Sequence, residues 1–176
     1  MRQEESVMKR TAMFLLLMLT ATFAYGADEM KKLDFLVGTW KGEASLQMGP
    51  GKRETVLQTE TVTSKAGGKV LLVEGLGRRK MENGSAGDVV HDAIALISWD
   101  KARNTYRFNA HVAQQDSVDT TIDLTAPNTL VWGFDTPQGK VRYTITLTAK
   151  GQWHEVGEFS RDAKDWMKFF EMTLSR

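Results

Sequence analysis

Residues 141–147 alternate without a break: Val141, Tyr143, Ile145 and Leu147 on one side, Arg142, Thr144 and Thr146 on the other. Successive side chains of a strand point to opposite faces, so this stretch predicts a strand with one buried face. The same pattern runs through Val118, Thr120, Ile122 and Leu124, through Leu130, Trp132 and Phe134, and through Tyr106, Phe108, Ala110 and Val112. Turn signals punctuate the chain between such stretches, among them Gly49-Pro50-Gly51, Ala66-Gly67-Gly68, Asn83-Gly84-Ser85, Ala126-Pro127-Asn128, Pro137-Gln138-Gly139 and Lys150-Gly151. They divide the chain into ten predicted strands: 40–48, 53–65, 69–80, 88–99, 105–114, 117–125, 129–135, 140–149, 152–161 and 165–175. The three prolines fall in turns, as a ladder of backbone hydrogen bonds requires. Short strands at this regular spacing suit an all-β, up-and-down antiparallel β-barrel or a sandwich, and the barrel is the expected architecture.

The pattern changes at the N-terminal end. Met30, Leu33, Phe35 and Leu36 recur at helical spacing over residues 28–36. Gly38 is expected to stop this short helix in a left-handed cap, and Thr39 and Trp40 to begin the first strand. Upstream, Met8-Lys9-Arg10 precedes an apolar run over 12–24 that is short for a membrane span, and Ala24-Tyr25-Gly26 carries small residues where a signal peptidase reads. Residues 1–26 are therefore expected to be a signal peptide with its natural start at Met8, cleaved after Gly26. That leaves a barrel domain over 27–176, periplasmic or secreted and without a membrane span. A retained membrane anchor is the alternative.

Composition narrows the reading further. The chain has no cysteine, which excludes a lipoprotein anchor and a disulfide scaffold. Residues 1–26 hold Arg2, Lys9, Arg10, Glu4 and Glu5, so without them the 23 basic and 22 acidic residues fall to 20 of each. A neutral chain lacks the basic excess of a nucleic-acid binder.

Charges on an inward parity stand out against this background. Glu74 and Arg78 share parity with Val70, Leu72 and Leu76, and Glu60 with Val56 and Val62. His91 falls in line with Val89, Ala93, Ala95, Ile97 and Trp99, and Glu155 lies between Trp153 and Phe159. Burying such groups unpaired costs several kcal/mol, so they should be paired, solvated or bound to a ligand. Glu74 is the favoured anchor, because both faces of VLLVEGL are apolar. A one-residue bulge would turn any of these side chains to water instead.

The sequence carries no catalytic constellation. His91 and Asp92 are neighbours on a strand, so they point to opposite faces and cannot form a dyad. His91, His111 and His154 lie on three different strands, without the short spacing of a metal cluster, and no metal is expected. Asp116, Asp119 and Asp123 do not match a calcium loop.

Taken together, LDFLVGTWKGE at 33–43, GKVLLVEGLGR at 68–78, VVHDAIALISWD at 89–100, VWGF at 131–134, VRYTITL at 141–147, WHEVGEFSRD at 153–162 and FFEMTLSR at 169–176 resemble a bacterial lipocalin-like family of the calycin superfamily, known mainly as a domain of unknown function. The resemblance spans the mature chain and implies a barrel of about ten strands with an internal pocket. It also implies that the Gly38-Thr39-Trp40 stretch closes one end of the barrel, with the indole as plug and the preceding helix as lid. Haem-binding nitrobindin-like barrels open with a similar Gly-Thr-Trp-x-Gly-Glu, here residues 38–43, and end in a similar Leu-x-Arg, here Leu174-Ser175-Arg176. In those barrels a histidine on the last strand ligates iron. That place falls at about Phe169 here, so haem would need His91, His111 or His154.

The expected function is an exported carrier of a small, largely apolar molecule, without catalysis. Its pocket would be lined by Tyr106, Trp132 and Tyr143, with Glu74, Arg78, His91 and Glu155 as polar anchors. The alternatives are a haem-binding barrel with redox or isomerase activity, and a packed barrel without ligand that serves in protein contact. The sequence leaves the oligomeric state open.

Overall fold

The computed structural model describes residues 28–113 and 116–176. The signal peptide expected over 1–26 lies outside the described residues. Ten antiparallel strands close into one barrel: β1 (Gly38–Gly49), β2 (Lys52–Lys65), β3 (Val70–Lys80), β4 (Ala86–Asp100), β5 (Thr105–Val112), β6 (Val118–Ala126), β7 (Thr129–Thr136), β8 (Gly139–Leu147), β9 (Trp153–Ser160) and β10 (Met167–Ser175). Each strand pairs with its sequence neighbour, and β1 pairs with β10 to complete the ring. The architecture is the up-and-down barrel that the alternation predicts, with strand boundaries moved by a few residues. Closure leaves no unpaired sheet edge. Among the described residues no helix is long and apolar enough to cross a membrane.

One end of the barrel is shut. Residues 28–31 are helical and a 3-10 helix follows at Asp34–Leu36. Met30, Leu33 and Leu36 are buried. The expected glycine cap is corrected by the structure. The 3-10 helix ends at Val37, which is extended and donates its N–H to the Asp34 carbonyl. Gly38 is instead the first strand residue, at φ +139°, a backbone conformation that favours glycine.

The inward parity on β3 is also corrected. Leu71, Val73, Gly75 and Gly77 turn inward, whereas Leu72, Glu74, Leu76 and Arg78 face outward, with Glu74 and Arg78 exposed. Arg78 reaches no further than the Gly87 carbonyl, at 3.2 Å. With Leu72 and Leu96 register partners, and Glu74 opposite Ile94, the outer face of β3–β4 is an apolar patch that includes Leu76.

Candidate functional site

The barrel interior changes character along its axis. At the closed end Trp40 is fully buried, and its indole N–H donates to the Leu36 carbonyl at 2.7 Å. Trp153 packs edge-on against it with 5.9 Å between ring centroids. From the rim, the Arg176 guanidinium lies 4.3 Å from the Trp40 ring and donates to the carbonyls of Phe35 and Val37. Tyr106 belongs to this end: it is buried and its hydroxyl donates to the Glu29 carbonyl at 2.9 Å. The structure thus separates Tyr106 from the other expected pocket residues.

Above this packed layer the walls differ. In a ring of ten strands β3 faces β8, β2 faces β7 and β4 faces β9. The inward residues of β3–β5 include Gly75, Gly77, Ala93, Ala95 and Ala110, a wall of small side chains. Opposite stands an aromatic wall. Trp132 and Tyr143 stack with centroids 4.4 Å apart and planes 12° from parallel. Phe169 and Phe170 meet Tyr143 edge-on, and from β5, beyond the small residues, Phe108 reaches within 4.5 Å of Trp132.

Two carboxylates project into this layer. Glu60 on β2 and Glu155 on β9 are only 8% and 9% exposed. Gln58 donates to Glu60 Oε1 at 2.7 Å, and the Trp153 indole donates to Glu155 Oε2 at 3.2 Å. Glycine makes room for the first pair. Glu60 is the register partner of Gly75 and Gln58 of Gly77. A Cβ on Gly75 would lie 2.9 Å from Glu60 Oε1, and one on Gly77 would overlap the Gln58 amide oxygen.

Burial dominates the electrostatics. Desolvation pushes the Glu60 carboxyl up to about 7 against the opposing hydrogen bond from Gln58. It pushes Glu155 up to about 8, with the charge of Glu60 adding to the effect and the Trp153 bond opposing it. Burial, then the charge of Glu155, raises the Tyr143 hydroxyl well above its ordinary value. His91 is turned inward on β4 next to Gly77, and burial lowers its imidazole against the opposing charge of Asp92. Near neutral pH the layer holds carboxyls that exchange protons and an imidazole that stays neutral.

The structure therefore brings together Trp132, Tyr143 and Glu155 in one interior layer with His91 at its edge, and leaves Glu74 and Arg78 outside. Sequence reasoning put Glu60 on the inward parity but left it out of the site, and it missed Gln58, Gly75 and Gly77. The available signal was Gly75-x-Gly77 within a strand, a mark of close approach by another group.

His111 is exposed and bonded to Asn109, and His154 faces Glu171 across the outer side of β9 and β10. Phe169 stands in contact with Tyr143 at the place where the resemblance implies an iron ligand. The donor set does not fit a haem held as in nitrobindin-like barrels, and His91 is the one inward imidazole among the described residues. No group of three or more His, Asp or Glu side chains among those residues is placed to hold a metal ion.

An open groove of about 520 Å³ lies over β6–β8 and is bordered by Asp119, Asp123, Asp135, Lys140, Arg142 and Trp166. Arg142 lies 4.0 Å above the Trp166 ring and bonds Glu158.

These features define a closed ten-stranded antiparallel barrel with a polar cluster inside. No family model and no curated protein matches the chain. Among solved structures, the crystal structure of Rv2717c from M. tuberculosis superposes with a TM-score of 0.58 over 84% of this chain and 96% of that one, at 11% identity. A likeness at that identity concerns the fold alone.

Proposed function

We propose that this protein is an exported lipocalin-like carrier that holds a small, largely apolar molecule inside its barrel, without catalysis. The observation that carries the reading is the unequal interior. One end is sealed by Trp40 and the helical segment, while the middle sets a wall of glycine and alanine against the Trp132–Tyr143 stack. Small residues leave width, and flat aromatic faces suit an apolar guest, with a few polar groups to orient it. Export rests on the leader-like residues 1–26.

The test is native mass spectrometry on protein purified from its own host, followed by titration with N-phenyl-1-naphthylamine, a neutral apolar fluorophore. The carrier reading expects a chain beginning after Gly26, a stoichiometric adduct that leaves on unfolding, and saturable one-to-one uptake of the fluorophore. A bare polypeptide mass together with no saturable uptake overturns it. The outer patch on β3–β4 favours a second reading, a barrel that serves in protein contact. Ile94 is 47% exposed and Leu96 44%, side by side with Leu72 and Leu76. Association through that face without fluorophore uptake is the result that reading expects.

A further inference from the structure

We infer that the bound molecule carries a cationic head, a protonated amine or amidine, held between Glu60 and Glu155 with its apolar part against Trp132 and Tyr143. This rests on the carrier reading and names the class of guest.

The argument starts from what the two carboxylates lack. Both are nine-tenths buried, and the ion pairs of Arg79 with Glu54, Lys80 with Glu43 and Arg142 with Glu158 go to other carboxylates. The groups that bear on the pair are Gln58 from β2, Trp153 from β9 and the neutral hydroxyl of Tyr143 from β8. Gly75 and Met172, from β3 and β10, lie beside the carboxylates and bring no charge. Each carboxylate uses one oxygen for its single hydrogen bond, leaving Glu60 Oε2 and Glu155 Oε1 without a partner among the described residues. Among the described residues the sealed side-chain atoms without a partner are Thr63 Oγ1 and Trp99 Nε1, and neither carboxylate oxygen is one of them. The charge of Glu60 bears on Glu155, so the two acceptors belong to one interior layer.

The chemistry of the space selects the guest. Two carboxylates sharing one site repel each other, and an anionic head would add to the repulsion. A neutral hydroxyl would satisfy one oxygen and leave the charge unrelieved. An ammonium or amidinium has donors for both oxygens and forms the stronger, charge-assisted bonds. The stacked faces of Trp132 and Tyr143 attract a cation as well, through the negative face of each ring. A cation between the two groups also favours their ionised forms, so binding near pH 7 should release protons.

The test is displacement of N-phenyl-1-naphthylamine at pH 7.5 by three guests of one chain length: octylamine, octanol and octanoate. The expected result is that octylamine displaces the fluorophore at about tenfold lower concentration than the other two. Glu155→Gln and Glu60→Gln should each remove that advantage, so that octylamine and octanol displace the fluorophore at similar concentrations in the variant. Calorimetry in two buffers of different ionisation heat should show protons released by octylamine and none by octanol. Octanol or octanoate binding as tightly as octylamine to the wild-type protein overturns the inference while the carrier reading stands. Absence of fluorophore uptake together with a bare polypeptide mass overturns the carrier reading, and the inference falls with it.

Discussion

Trp40 and Glu60 are register partners on β1 and β2, and both point into the barrel. On β9, Trp153 and Glu155 are two residues apart on the same inner face. Each pair couples the closed end to the middle layer, and the contrast between the two regions is the instructive feature of the molecule. The closed end is finished chemistry: Trp40 has its hydrogen bond, its aromatic neighbour and a guanidinium over its face. In the middle layer two carboxyls are desolvated and each is half bonded. Such groups weaken a fold unless something else pairs with them. A barrel that needed only to be stable would carry Leu or Met at 60 and 155. The middle layer therefore has the marks of a site, and the closed end those of a foundation.

The largest effect that would sharpen this contrast is expected at the foundation. Trp40→Ala removes the fully buried indole that joins the helical segment to β1 and β9. Large-to-small changes of this kind cost about 3–5 kcal/mol. Urea unfolding monitored by circular dichroism should show a midpoint lowered to match. A loss below about 1 kcal/mol would mean that the closed end is not what holds the barrel together.

The middle layer should show itself through pH. Glu60 and Glu155 are raised from 4.5 to about 7 and about 8, so between those values the folded chain binds more protons than the unfolded one. Stability contributed by the protonated carboxyls is present below about 4.5 and is lost as pH rises through 7 to 8. His91 acts in the opposite direction, because its lowered imidazole makes stability rise with pH up to about 6.5. Asp100, Asp162 and Glu171 are lowered by their hydrogen bonds and matter on the acid side. The interior pair is therefore read between pH 6.5 and 8, where thermal midpoints should fall, with a limiting slope of about 1.4 kcal/mol per pH unit for each proton. Glu155→Gln should flatten the fall and be more stable than wild type at pH 8. A flat wild-type profile would mean that the carboxyls are paired after all.

The fold was readable because most strands have one polar face. On β8, Arg142, Thr144 and Thr146 fix which side of Val141, Tyr143 and Ile145 is inner. On β3 the signal is mixed, since Glu74 and Arg78 share their face with Leu72 and Leu76, which are as apolar as Leu71 and Val73. The sequence pattern puts Leu72, Glu74 and Leu76 on the inner parity, whereas the volume inside is filled from the next strand by Gln58 and Glu60, which is why Gly75 and Gly77 stand there. The site was half legible for a related reason. Parity puts Glu60 and Glu155 inside one strand at a time, but their influence on each other depends on barrel closure through β1 and β10, which no local pattern records.

The smallest expected effect belongs to the residues that the sequence favoured. Glu74 lies outside, opposite Ile94, and Arg78 reaches only the Gly87 carbonyl at the start of β4. Exposed substitutions away from caps and networks stay within about 0.5 kcal/mol, so Glu74→Ala and Arg78→Ala should leave the urea midpoint and the fluorophore affinity unchanged. Glu74→Ala has one further expected consequence. Glu74 interrupts the patch of Leu72, Leu76, Ile94 and Leu96, and removing its charge joins these residues into a wider apolar face. Size-exclusion chromatography should then show more self-association in the variant than in the wild type at equal concentration. A loss of fluorophore binding in Glu74→Ala would instead return Glu74 to the interior. It would shift the register of β3 by one residue and carry Gly75 and Gly77 out of the layer that Glu60 and Gln58 occupy.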